Sequence, residues 1–261
     1  MGWQLHLGDE AAPLLAVALH AGHAVRAALA GLFALSAEER LREEDPFTGD
    51  WARRFDNWLI GTQSRFEIDL NRMREKAVYI HPADAWGLEV WKEAPPPPEV
   101  ITESHAVYDA FYGNLVAVVD DLVARHGRLV VYDLHSYNHR REGPNGPPAD
   151  PQANPQLNLG TGTMPNRDRW AGVIAAFMAH MRTVTVAGEA LDVRENIKFQ
   201  GGNMARWLHT RHPEAVCVLS IEFKKFFMDE WTGAPHPEIV ATLGAALESS
   251  VPGVLGALKR A

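Results

Sequence analysis

Cysteine is almost missing from this sequence. Cys217 is the single one in 261 residues, so no disulfide can close within the chain and a reducing compartment is allowed. It lies in an apolar run, AVCVLSI at residues 215–221, where it reads as a core residue rather than a nucleophile. An excess of positive charge is missing too. The net charge of −8 offers no general attraction to nucleic acid or to anionic membranes. No apolar stretch approaches the ~20 residues of a membrane span, and the N-terminus lacks the charged, apolar and small-residue series of a secretory leader. A phosphate loop is also absent, since no Gly-Lys-Ser/Thr follows Gly201-Gly202-Asn203. These absences leave a cytoplasmic protein with neither nucleic acid nor membrane as partner; oligomeric state is left open.

What is present describes an ordinary folded chain, 46% hydrophobic and 22% charged. Its length suits one domain over residues 1–261. The organising stretch is residues 129–141, LVVYDLHSYNHRR. Residues 129–132 form a short apolar run that fits a buried strand. The run then breaks into Asp133, His135, Ser136, Asn138, His139, Arg140 and Arg141, more polar groups than a core needs. In open α/β sheets ligands sit at the carboxyl ends of strands. His135 would face such a crevice, and Asp133, two residues back on the same face, would steady it.

Other stretches repeat that grammar. The later part of residues 11–19 reads as a buried strand feeding His20-Ala-Gly-His23, a turn whose two histidines can reach one metal ion. Residues 25–35 look helical. Ser36-Ala-Glu-Glu39 is a capping box opening a short helix, which runs into Glu44-Asp45-Pro46, where either acid can supply a carboxylate ligand. Residues 65–70 alternate like a strand, with Phe66, Ile68 and Leu70 inward and Arg65, Glu67 and Asp69 outward. Arg65, Asn71 and Arg72 can make an anion clamp, because a guanidinium matches a carboxylate in bidentate geometry; the arginines can equally pair with Glu67, Asp69 or Glu75.

Residues 77–91 read as a hairpin or a pocket wall, and the four prolines at 95–98 as a stiff surface excursion. Residues 105–126 carry a helical period closed by Gly127. Residues 142–165 form a Gly, Pro and Asn-rich binding loop or lid. Helix at 170–181, an exposed strand at 191–199 and a helix opening after Gly201-Gly202 follow. A buried strand at 215–221 delivers Glu222 to the same sheet edge, as a candidate general base. One or two helices at 237–258 close the chain.

The order of His20-Ala-Gly, Ser64-Arg65-Phe66 through Asp69-Leu70-Asn71-Arg72, Asp133-Leu134-His135-Ser136 and Ile221-Glu222 resembles the N-formylglutamate amidohydrolase family, over residues 18 to about 233. The resemblance implies an α/β single domain related to the zinc carboxypeptidases, with a mixed, largely parallel sheet flanked by helices. It implies one zinc ion per chain, held by His20 and His135 and completed by His23, Glu44 or Asp45. It also implies Glu222 as base and Arg65 and Arg72 as the clamp for a substrate carboxylate. Asn71, Asn138 and Arg140 join them as candidate substrate contacts. The expected activity is hydrolysis of an N-acyl amino acid, N-formyl included. The same residues would serve a carboxypeptidase, and the aromatic segment around Trp86 and Trp91 would equally serve a non-catalytic binding module.

Overall fold

A strand buried on both faces reads as an unbroken apolar run. Leu14–Ala18 (β2) is such a strand in the computed structural model, which describes residues 2–8 and 12–261. Ala11, where the predicted strand region begins, lies outside the described residues. Leu14, Ala16 and Ala18 enter one core, while Leu15, Val17 and Leu19 enter the other. This period of two divides the whole molecule into layers.

The sheet gathers Trp3–Leu7 (β1), Asn57–Gly61 (β3), Leu129–Tyr137 (β4), Leu157–Gly160 (β5), Val193–Glu195 (β8) and Val216–Lys224 (β9) around β2. Its 7 strands run in the order β1-β3-β2-β4-β9-β5-β8. Parallel pairs join β3, β2, β4 and β9, and β5 to β8; the antiparallel pairs are β1 with β3 and β5 with β9. The expected mixed, largely parallel sheet in a single domain is therefore present. A short hairpin, Thr185–Val186 (β6) and Glu189–Ala190 (β7), stands apart from it.

Among the described residues there are six α-helices: Ala37–Glu43 (α1), Thr48–Ala52 (α2), Pro98–His126 (α3), Ala171–Arg182 (α4), Asn203–Arg211 (α5) and Pro237–Leu258 (α6). Trp51 of α2, Phe177 of α4 and Leu243 and Leu247 of α6 pack on one face. Phe111, Leu115 and Leu122 of α3 with Met204 and Leu208 of α5 pack on the other. Each fully buried Leu or Phe contributes about 1.5–3 kcal/mol, so the two apolar layers fix the sheet on which the site is built.

Several expectations need correction. Residues 25–35 hold only a 3-10 turn at Ala27–Leu29, and the main-chain N–H of Arg26 just before it donates to Glu67. Residues 65–70 are turns, not a strand, and Glu67 and Asp69 are as buried as Phe66 and Ile68. Their carboxylates find cationic partners inside, which a hydropathy pattern cannot register. The helix read over residues 105–126 begins earlier: Pro98, the last of the four prolines, opens α3, at the position where a missing N–H costs nothing. Residues 77–91 form a wall with a 3-10 turn at Pro82–Ala85 rather than a hairpin. The predicted lid at 142–165 contains β5, and the predicted exposed strand at 191–199 keeps only β8. Pro237–Leu258 is, by length and composition, long and apolar enough to span a membrane, against the reading above. Here its Leu243, Leu247, Val254 and Leu258 are core residues, and Ser250 meets the Tyr132 hydroxyl at 2.8 Å.

Candidate active site

The face of β4 that carries Leu129 and Val131 into the α3/α5 core continues, by pleat alternation, through Asp133 and His135. The strand does not end at residue 132; it simply changes chemistry. Its parallel register with β9 sets Asp133 beside Ser220 and His135 beside Glu222. Ser220 Oγ donates to Asp133 Oδ2 at 3.0 Å. His20 arrives from the next strand over, just past the end of β2, so three neighbouring strand ends converge.

His20, Asp45 and His135 offer ligand atoms that lie within 4.8 Å of one another. His20 Nδ1 is 3.3 Å from Asp45 Oδ2, and His135 Nδ1 is 3.0 Å from the same oxygen. Each ring turns its other nitrogen to a buried carboxylate. His20 Nε2–H donates to Asp69 Oδ1 at 2.7 Å, and His135 Nε2–H donates to Asp133 Oδ1 at 2.8 Å. Those bonds leave both Nδ1 lone pairs aimed at one carboxylate oxygen, and His20 Nδ1 is a buried nitrogen with no hydrogen-bond partner. Lone pairs meeting in this way repel unless a proton or a cation lies between them. The donor set, two imidazoles backed by carboxylates plus one carboxylate oxygen, fits zinc.

Charge follows the same plan. Burial works to raise the Asp45 carboxyl, and its contacts with His135 and His20 outweigh that and hold it well below the usual range. Asp69 is likewise held low, the Arg65 charge overcoming burial. Burial works to lower His135, and Asp133 and Glu222 overcome it and push it well above its ordinary value. Glu222 moves the other way. Burial, with the nearby charges of Asp45 and Asp133, prevails over His135 and pushes it up to about 7, the range that suits a base working at neutral pH.

His23 and Glu44 do not join the cluster. His23 Nδ1 meets Glu44 Oε2 at 2.6 Å, and Glu44 Oε1 accepts the Ser64 hydroxyl. Glu44 has extended backbone, so its side chain and that of Asp45 point to opposite sides, and Asp45 is the acid that faces the histidines. Arg65 gives Nη2 to Asp69 Oδ2 at 2.8 Å and Nε to the Tyr79 hydroxyl at 3.2 Å. Arg72, half exposed, approaches Asp69 only to 3.6 Å. Asn71 Oδ1 accepts the N–H of Met204 at 3.0 Å and so caps α5. Its amide nitrogen lies 3.3 Å from His135 Nε2. A side chain at Gly202 would collide with Asn71, its Cβ falling 2.2 Å from Nδ2, which explains a glycine at that position.

His20, Asp45, His135, Glu222, Arg65, Asn71 and Arg72 line a cavity of about 400 Å³ with Glu43, Trp86, Ser136, Asn138, Arg141, Lys198, Phe199 and Lys225. Asn138 is buried and its Oδ1 has no partner. Arg140 turns away from the cavity and gives Nη1 to Gly146 O at 3.0 Å; Arg141 is the arginine of that loop that lines it. Lys198 donates to Asn154 Oδ1 at 2.7 Å, and burial pushes Lys225 down to about 8. Trp86 stands in the segment read as a pocket wall, whereas the importance of Asp69, Lys198 and Lys225 was not foreseen. Asp69 could have been found, since it stands inside the Asp69-Leu70-Asn71-Arg72 motif; the others carry no local signal.

The sequence profile of the family N-formylglutamate amidohydrolase matches residues 12–228. The chain belongs to this family. It is thus a member of a hydrolase family acting on amide bonds, and solved structures agree on the fold. The N-formylglutamate amidohydrolase from Ralstonia eutropha JMP134 superimposes with a TM-score of 0.72 at 21% identity, covering 99% of this chain and 97% of that one. The gene product Atu2144 from Agrobacterium tumefaciens does so at 0.65 and 16% identity, covering 97% and 96%. A metallo-carboxypeptidase from Burkholderia cenocepacia aligns at 0.36 and 15% identity, covering 99% of this chain and 61% of that one, a likeness on which nothing below depends. No curated protein sequence matches significantly.

Proposed function

We propose that this family member is a zinc hydrolase that removes an N-acyl group, formyl among them, from an amino acid with a free carboxylate. The observation that carries the reading is the pair of carboxylate-backed imidazoles converging on Asp45 beside Glu222. His20 Nδ1, Asp45 and His135 Nδ1 would hold the ion. A zinc ion so held would make water acidic near pH 7 and would polarise a carbonyl. Glu222 takes the proton of the attacking water and passes it to the leaving amine nitrogen. Asn138 Oδ1, buried and unpartnered, accepts the substrate amide N–H. Arg72, with the remaining N–H groups of Arg65, receives the carboxylate and fixes the acyl carbon near Glu222. In a chain of net charge −8, such a local positive wall is what an anionic substrate requires.

The test is product analysis with zinc-loaded protein on N-formyl and N-acetyl amino acids and on a peptide panel. Release of the free amino acid from a small amide supports the reading, and Glu222→Gln should then lower kcat by about 10²–10⁴ while the ion stays bound. Cleavage of peptides alone would favour a carboxypeptidase. Cleavage of neither would retire the hydrolase reading in favour of a binding module. Elemental analysis should find about one zinc per chain, lost in His135→Ala.

A further inference from the structure

Lys225 is 1% exposed and follows Glu222 on the same strand and its continuation. Among the described residues no carboxylate pairs with it. Its Nζ donates to two main-chain carbonyls, Arg42 O at 2.5 Å and Glu44 O at 2.7 Å. Arg42 lies in the last turn of α1, where carbonyls have no partner within the helix, and a cation there also answers the helix dipole. Burying an ammonium without a counter-ion is expensive, so its position asks for a reason.

The peptide bond between Glu44 and Asp45 supplies one. Lys225 holds its carbonyl, while its N–H, that of Asp45, donates to His20 O at 2.9 Å. One peptide plane is therefore gripped from both sides, by the strand that carries Glu222 and by the turn that carries His20. Thr48 Oγ1 adds a hydrogen bond to Asp45 O at 2.6 Å. With the main chain of Asp45 held on both flanks, its carboxylate has little freedom except to face the two histidines. A long unbranched stem with a compact head is the side chain that reaches this point between two carbonyls.

We infer that Lys225 is a positioning residue for the metal site: by clamping Arg42 O and Glu44 O it holds Asp45 in register with His20 and His135. This rests on the reading of those three residues as a zinc site. The experiment is titration of zinc into metal-free protein against a chromophoric chelator, with thermal unfolding of the metal-free state alongside. Lys225→Met should weaken zinc binding by about 10–100-fold, and Lys225→Arg, which keeps the donors, should restore much of it. Tyr132→Phe, which breaks the hydrogen bond to Ser250 in the opposite layer, should lower stability and leave zinc affinity within about twofold. Zinc affinity unchanged in Lys225→Met, or lost equally in Tyr132→Phe, overturns the inference. If Lys225→Met does not fold, Lys225→Gln takes its place, with measurably weaker binding supporting the clamp and wild-type binding overturning it. Wild type that takes up no zinc overturns the metal reading itself, and the inference with it, a result distinct from the others.

Discussion

His135 and His209 are both buried, at 3% and 1% exposure, and they could hardly differ more. His135 has a carboxylate on each ring nitrogen. His209, on α5, accepts the N–H of Val218 at Nε2 and donates from Nδ1 to Thr163 Oγ1, each at 3.0 Å. The first is pushed well above its ordinary pKa by Asp133 and Glu222 against burial. The second is pushed down to about 4 by burial. Burial is common to both, so partners decide the role. An imidazole between a hydroxyl and a main-chain N–H is a neutral core residue; one between two carboxylates can hold a cation. His20, with Asp69 behind it and Asp45 ahead, belongs with His135.

The most damaging way to probe this contrast is Asp69→Asn. It takes away the counter-charge of Arg65 as well as the support of His20, and stranding a buried charge costs about 3–5 kcal/mol. Denaturant unfolding of the metal-free protein measures it, and a loss below about 1 kcal/mol would show that Arg65 does not depend on Asp69.

Next comes pH. Folded His209 binds its proton at about 4 against 6.5 for the ordinary group, so the unfolded chain is protonated first as pH falls. Its contribution to stability is complete above pH 6.5 and is lost progressively as the pH drops toward 4, with a ceiling of about 3 kcal/mol at 1.36 kcal/mol per unit. His209→Gln should flatten that part of the stability curve, measured as denaturation midpoints between pH 7.5 and 4. A variant as steep as wild type would place the titration elsewhere.

Asp133→Asn should act mainly on the ion. Asp133 meets His135 and the neutral Ser220, so no permanent cation is stranded. Zinc affinity should fall about 10–100-fold, with about 1–2 kcal/mol lost from the metal-free fold. If its stability loss equals that of Asp69→Asn, the two histidine supports are not different in kind. The smallest effect belongs to Ser36→Ala at the capping box of α1. About 1 kcal/mol of stability should go without a change in zinc affinity, because Lys225 holds the far end of that helix; weaker binding would mean that α1 as a whole sets Asp45.

Local chemistry made much of this legible. The apolar runs that became β2, β4 and β9 are unbroken because both faces of those strands are buried, and the capping box of α1 formed as written, with Ser36 and Glu39 bonding each other's main chain. Positions 65–70 were misread as a strand because period-two hydropathy assumes that charged residues face water. Glu67 instead binds Arg26, and Asp69 binds His20 and Arg65. Arg65 is four residues from Asp69, but Arg26 and His20 come from distant parts of the chain, so a window around residue 69 contains only part of the reason for its burial.

The division between sequence and tertiary structure follows from the range of the forces. Hydrophobic alternation and capping act between near neighbours, and they marked the buried strands β2, β4 and β9, the capped start of α1 and the strand ends that deliver His20, His135 and Glu222. The choice of Asp45 over His23 and Glu44, the turning away of Arg140, and the arrival of Lys198 and Lys225 at the cavity were decided only by packing. Each depends on which way a backbone faces once distant segments meet, and a buried charge settles where its partner is.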